Sequence, residues 1–597
     1  MSYEYLYDGS DSSLSPKKYN DMFTGHRIPA GELGATTSIQ TANQIKEVTN
    51  LLNQGMKVVE VSTISPDVFE MIPKQQLKEI NRLSKLTGSE TTLHAPIIDP
   101  SGFTQQGWDE TNREVAEKQF TEVVERAHEL NPTGNIPVTI HSSQIPGTEH
   151  IEVKDPETGK MVEVTQKMIA VNRRSGQLVP LIREERFFPG RVGEGGKPER
   201  RTPEELLDSQ NHTEWINKIT NLAFYKKEAD EILQGSVGDL LPSQLKYEQS
   251  GKFAITSEHE ARAFEKLKRA DLFLDNVQTS FTSLFDDAYK YSEDAELKKG
   301  LNELSDEWKK FHNKNKSGVN NPIKYITEKS RLLDHSIQVM RGFDGPEMFK
   351  PVEDFVKEKA SETLGNVAFN AYKKFGNDAP IVSIENPPYG SAVSRAQDLK
   401  ELIQESRKRF IDKAVKEGMD ADQAKKAAEN IIGATWDTSH ISMMRKQGFK
   451  PEKLVEEAKI IAPFVKHVHY NDNFGSTHTD LPPGMGNVPM KEVMDQLEKA
   501  GFKGKKVFEG GNFFQHFQQS PHPYVLEGAG SSVYAMKMAP YWNQTFSNIG
   551  PYFAGYGTIL PEQHFQTYGG GFSGLPTELG GQVQARGSRA TGGTPMA

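Results

Sequence analysis

The sequence predicts a (β/α)8 TIM barrel with a large, mainly helical insertion after its fourth strand and a Gly-rich C-terminal tail. Three observations lead there. Short β-branched runs alternate with single amphipathic helices, the pattern of parallel βα units. Eight such runs can be counted along the chain. Most end in a histidine or a carboxylate, and the C-terminal ends of the strands are where a barrel of this kind gathers its functional side chains. A doubly wound open sheet is the competing architecture, but no Gly-rich phosphate fingerprint follows the first run.

In order, the strand-like runs are Ala30–Ala35, Lys57–Ser62, Thr91–His94, Ile136–His141, Pro380–Glu385, Ile432–Asp437, Phe464–His469 and Lys505–Glu509. Helical periodicity fills the gaps over Thr41–Asn53, Gln75–Leu86, Glu114–Leu130, Ala396–Glu417, Pro451–Ile461 and Pro489–Ala500. The alternation breaks after His141. Glu149–Val164 and Lys167–Phe188 read as hairpins around turn sequences, and from Pro203 to about Phe375 the chain reads as long charged helices, including Glu258–Ala288 and Ser292–Asn313. The expected organisation is an N-terminal extension (1–28), a first barrel part (29–143), the insertion (144–375), a second barrel part (376–548) and an aromatic and Gly-rich tail (549–597). A closing helix is expected near Tyr524–Trp542.

At 597 residues the chain can bury a large core, and no apolar run is long enough to span a bilayer, so a soluble cytoplasmic protein without a membrane partner is expected. The absence of cysteine excludes disulfides and thiolate chemistry, leaving His, Asp, Glu and water to hold any metal. A formal net charge of -10 argues against non-specific coating of nucleic acid. The insertion carries Arg173, Arg174, Arg183, Arg186, Arg191, Arg200 and Arg201, a candidate phosphate contact. Interspersed Glu184, Glu185, Glu194 and Glu199 fit a solvated hairpin equally well.

The chemistry gathers at the strand ends: His94, His141, Glu385, Asp437 with His440, His469 and Glu509. One strand-end histidine is usually a core or capping residue; six consecutive strands ending in ligand-type residues fit that account poorly. His478 and Asp480, between the seventh strand and its helix, bring the set to nine. A zinc ion takes three or four protein ligands, so nine suit a two- or three-metal cluster, with zinc favoured by the N and O donors and manganese next. His467 alternates with His469 and reads as a core histidine, while His150, His516 and His522 carry no assignment.

Taken together, Leu93-His94, Ile140-His141, Ile384-Glu385-Asn386, Asp437-Thr-Ser-His440, His469-Tyr-Asn-Asp472, Gly484-Met-Gly-Asn-Val and Phe508-Glu509 resemble, in order, the endonuclease IV family of apurinic/apyrimidinic endonucleases, within the xylose-isomerase-like barrels. The resemblance covers roughly 29–143 and 376–512. It implies that His94 and His141 hold one zinc with Glu385, that Glu385 bridges to a second zinc on Asp437, His469 and Glu509, and that His440, His478 and Asp480 hold a third. Glu385, Asp437 and Glu509 are then the catalytic carboxylates, and damaged DNA or another phosphate ester is the partner, cleaved on the 5' side of an abasic site. The chain departs from the family in three places. His478-Thr-Asp480 reverses the usual Asp-x-His, Ser439 replaces a cysteine that is not a ligand, and Ser62–Pro66 and Ala95–Pro100 do not match the loops that enter DNA.

Two other readings stay open. A sugar or sugar-phosphate isomerase or epimerase needs one divalent ion, for which Glu385, Asp437, His469 and Glu509 suffice; His94, His141, His440 and His478 would then be surplus. Alternatively the barrel is a structural or assembly module, with insertion and tail serving self-association.

Overall fold

A computed structural model describes residues 32–510, apart from 54–55, 64, 156–157, 188–198 and 317, together with His26, Ile28 and Val525. The expected tail, Arg191, Glu194, His516, His522 and nearly all of the N-terminal extension and closing helix lie outside the described residues.

Eight parallel strands close into a barrel: β1 (Leu33–Thr36), β2 (Val58–Ser62), β3 (Glu90–His94), β4 (Pro137–His141), β5 (Ile381–Glu385), β6 (Ile432–Asp437), β7 (Val465–His469) and β8 (Lys506–Phe508). Neighbours follow sequence order, and β8 closes the ring on β1 through Leu33 opposite Lys506. Burial on both faces explains the run of buried residues in β2 and β6. Close strand contact also selects small residues. A Cβ on Gly433 would lie 2.8 Å from the Phe464 carbonyl and collide with the Lys466 side chain, so the second residue of β6 is glycine.

Barrel interiors are usually filled by branched apolar residues. Two residues before the strand-end ligands, this one is polar: Thr92, Thr139, Ser383, Thr435 and His467 are buried, joined from β2 by Glu60. Hydroxyls link across the layer, with Thr435 Oγ1 donating to Ser383 Oγ at 2.7 Å and lying 3.0 Å from Thr139 Oγ1. The period of two that puts His467 under His469 produces this layer from β2 to β7, while Val507 keeps β8 apolar at the same level.

The insertion is narrower than expected. One compact unit runs to Gln166 and resumes at Val352; the other is Lys167–Pro351. Helix Val352–Phe375, read from sequence as the last helix of the insertion, belongs with the barrel because it stands between β4 and β5 as their crossover helix. The strand expected to break near 164–167 is continuous over Met161–Asn172 and pairs at its far end with Leu178–Ile182.

Within the second unit, helices Pro203–Val237, Glu258–Tyr291, Ala295–Asn315 and Pro322–Arg341 share one apolar core. Along Glu258–Tyr291 the buried positions Ala263, Leu267, Ala270, Leu274, Val277, Phe281, Leu284 and Ala288 alternate spacings of four and three, the seam of helices packed side by side. Thr202 and Glu205 form a reciprocal capping box at the start of the first helix, satisfying amides the helix cannot bond itself. The arginine cluster is held by its own surroundings: Arg174 pairs with Asp287 at 3.1 Å, Arg200 with Glu185 at 3.0 Å and Arg186 with Glu184. Among the described residues this is the ordinary hairpin reading.

Candidate metal centre

All nine sequence-predicted ligands meet at the C-terminal mouth of the barrel. Glu385, at the end of β5, is their hub. Its Oε2 lies 3.0 Å from His141 Nε2 and 3.3 Å from His94 Nε2, and its Oε1 lies 2.6 Å from His469 Nδ1. Glu509, one residue beyond β8, closes the same space at 3.3 Å from His469 Nδ1 and 3.7 Å from His94 Nε2. Asp437 Oδ2 stands 3.9 Å from both His469 Nδ1 and His440 Nε2. Beyond it, His440 Nε2 faces His478 Nε2 at 2.9 Å, and His478 Nε2 lies 3.4 Å from Asp480 Oδ1. The centre is thus one chain of donors from β3 to the loop after β7.

Local folding fixes these side chains. Asp437 caps the short helix Thr438–Ser442, accepting from Ser439 N and His440 N, while Asn471 Nδ2 donates to its other oxygen at 2.8 Å. The cap turns His440 back toward the mouth, where its Nδ1 lies 2.7 Å from the Asn386 carbonyl. Asn386 also brackets the Asp437 backbone through both amide atoms. Ser439, judged neutral from sequence, donates to Asp480 Oδ1 at 3.0 Å and orients that carboxylate. His478 and Asp480 ride on a loop without regular structure, clamped at its ends by Asp472, whose carboxylate accepts from the amides of Asn473, Gly484, Gly486 and Val488. Gly486 has no alternative there, since a Cβ would strike the Asn473 carbonyl and the Asp472 carboxylate.

The electrostatics are those of opposed charges in a dry space. Burial works against the Glu385 carboxylate, yet His469 and His141 hold it well below the usual carboxylate range. Burial and the neighbouring Glu385 push Asp437 up to about 6. Burial likewise opposes a charge on His94, but Glu385 and Glu509 raise it to about 9; Asp480 raises the more exposed His478 to about 9 against its own desolvation. Burial lowers His440 to about 4, so this ring stays neutral beside its partner.

A divalent cation fits this arrangement. Glu385 Oε2 is buried and, despite two imidazole nitrogens near it, accepts no well-directed hydrogen bond. Such an atom is expensive unless something takes its lone pairs. Two ring nitrogens aimed at each other, as in His440 and His478, suit a shared ion equally well. The all N and O donor set suits zinc and then manganese.

Sequence reasoning missed the residues behind the ligands. Glu60 is fully buried in β2, with His469 Nε2 at 3.0 Å, His467 Nε2 at 3.0 Å and Thr92 Oγ1 at 2.7 Å from its carboxylate. Its signal was a lone charge inside the apolar run Lys57–Ser62. His467 is the core histidine expected. The loop after β3, unmatched to any DNA-entering loop, folds around buried Asp99, which accepts from Ser101 and from the Gln144 amide at 2.8 Å. The hairpin from Glu149 lies against the loop after β5: Arg395 pairs with Glu163 at 2.6 Å and Tyr389 donates to the His150 carbonyl at 3.1 Å. His150 is therefore held at the hairpin, outside the ligand cluster.

Residues 384–521 match the family described as xylose isomerase-like TIM barrel. That match supports the barrel; it does not single out the endonuclease assignment, nor hydrolysis, DNA repair or DNA binding. No curated protein matches the sequence. Solved structures similar to the chain include a D-tagatose 3-epimerase-like protein, at 11% identity and TM-score 0.35 over 83% of this chain and 98% of that one. Another is a D-psicose 3-epimerase with D-tagatose from Clostridium cellulolyticum H10, at 9% identity and TM-score 0.36 over 85% and 98%. Likenesses this distant carry no argument about substrate. Among the described residues no helix is long and apolar enough to cross a membrane.

Proposed function

We propose that the barrel is a zinc-dependent phosphodiesterase acting on a phosphate ester, with the DNA backbone at an abasic site as its specific substrate. The observation that supports it is the surplus of ligands. Glu385, Asp437, His469 and Glu509 would satisfy one ion, yet His94 and His141 approach Glu385 from one side while His440, His478 and Asp480 form a further group beyond Asp437. When bound, a cluster of divalent ions supplies contacts to phosphate oxygens and makes a water acidic enough to attack. The chain's part is positional. Glu385 reaches both sides with one oxygen each, and Asn386 and Asn471 hold Asp437 between the groups. The polar layer below fixes the strand ends, and the hairpin from Glu149 flanks the mouth.

The second reading is a sugar isomerase or epimerase with a single ion. It is favoured by the close gathering of His94, Glu385, His469 and Glu509, whose donor atoms all lie within 4.8 Å. One assay separates the two. Purified full-length protein should bind more than one zinc and nick duplex DNA at an abasic site, with nicking lost to a chelator and in Glu385→Gln. One ion per chain with interconversion of ketose epimers and no nicking would replace the first reading with the second.

A further inference from the structure

We infer that Glu60 is a positioning residue for the metal centre: by accepting the Nε2 proton of His469 from beneath, it turns the Nδ1 lone pair of that ring toward the ion. The inference rests on the metal-centre reading above and not on the identity of the substrate.

A neutral imidazole carries one N–H, and which nitrogen bears it is set by the partner of the other. His469 has carboxylates on both edges. Its Nδ1 faces Glu385 at 2.6 Å, Glu509 at 3.3 Å and Asp437 at 3.9 Å, while its Nε2 faces Glu60 alone at 3.0 Å. The Nδ1 edge therefore belongs to the ion and the Nε2 edge to Glu60. Outer carboxylates that hold a histidine ligand in this way raise its basicity and fix its ring plane.

Glu60 is suited to the task. A buried carboxylate is costly unless fully hydrogen-bonded; this one takes His469 on Oε1 and both His467 and Thr92 on Oε2. Two ring nitrogens and a hydroxyl converge on its two oxygens, so its place in the arrangement is that of an acceptor. His467 completes the arrangement. Its Nδ1 is buried with no hydrogen-bond partner, which leaves Nε2 as the protonated atom facing Glu60. Both histidines of β7 thus donate to one residue of β2, and of the two rings His469 is the one whose other edge faces Glu385 and Glu509.

The test uses the full-length chain as wild type, Glu60→Ala, Glu60→Gln and His467→Gln. Zinc affinity is read by competition with a chelator, and the imidazole protonation sites by long-range 1H–15N correlation of the zinc-loaded protein. Glu60→Ala should weaken one zinc by about 10- to 100-fold and shift the Nε2–H signal of His469, which loses its acceptor. Glu60→Gln keeps an acceptor oxygen and should recover most of the affinity, whereas His467→Gln should change it only a few-fold. Unchanged zinc affinity with an unchanged His469 signal in Glu60→Ala would overturn the inference. If that variant does not fold, Glu60→Gln decides: its amide oxygen is a weaker acceptor than a carboxylate, so a His469 Nε2–H shift identical to wild type overturns the inference. Wild type that binds no zinc would instead remove the metal-centre reading itself, so the two failures are distinct.

Discussion

Both units bury charge, and they do so to opposite ends. In the helical unit Lys329, 1% exposed, sits against Asp271 at 2.9 Å and against Asp275, and Lys226 against Asp334 at 2.6 Å and Asp230. Both of these buried ammonium groups find carboxylates that also reach water, so the charges close on themselves. At the barrel mouth they do not close. Glu385 Oε2 has imidazole nitrogens beside it but no well-directed hydrogen bond, two histidine nitrogens face each other, and carboxylates crowd around Asp437. Charge that satisfies itself holds a fold together; charge left open in a dry space is arranged for something that binds.

The largest effects should come from the open cluster, and they should be unequal. Asp437→Asn removes a carboxylate between the two ligand groups and should cost activity on the order of 100- to 1,000-fold with loss of more than one ion. His440→Ala should loosen a single ion, leaving the Glu385 set loaded. Metal analysis after dialysis distinguishes them, and equal loss from both would contradict the division.

A smaller effect concerns pH. In the metal-free protein His94 and His478, each raised to about 9, carry protons at neutral pH, and an incoming ion must displace them. Their folded-state values lie above the ordinary one, so protonation persists as pH rises and is lost only near 9. Zinc affinity should therefore climb between pH 6.5 and 8.5, by up to about tenfold per unit for each proton displaced, and level off above 9. Competition titrations at three pH values check this; a flat profile would show that the rings are already neutral.

The smallest effect belongs to the closed cluster. Lys329→Met leaves Asp271 and Asp275 without their cation, but both carboxylates reach solvent, so the loss should be about 1–2 kcal/mol of stability. Thermal unfolding of the full chain should register it while zinc binding stays unchanged.

What could be read from sequence follows from periodicity. Strand ends announce themselves because a ligand-type residue interrupts an apolar run at its C-terminal edge, and that located His94, His141, Glu385, Asp437, His469 and Glu509 at one mouth. Glu60 escaped because attention to strand ends stops at Ser62; a charge two residues earlier points inward by the same alternation. Helix Val352–Phe375 escaped for a different reason. Its lysines and glutamates resemble those of the preceding helices, and only its density of buried small and apolar residues, Ala360, Leu364, Val367, Ala368 and Ala371, marks a helix of the barrel's outer ring. The role of Ser439 could not be seen at all, since its partner Asp480 is distant in sequence.

The Asp472 clamp has a consequence for how this mouth can change. Its carboxylate pins Asn473 at one end and Gly484, Gly486 and Val488 at the other, and Asp472 and Leu481 exchange backbone hydrogen bonds across the neck. The residues between form a closed cassette, whose length and order can vary at a small entropic penalty while β7 and the following helix stay in place. The order and spacing of His478 and Asp480 can thus vary without disturbing the barrel, and the outermost group of the candidate centre becomes the part most open to exchange.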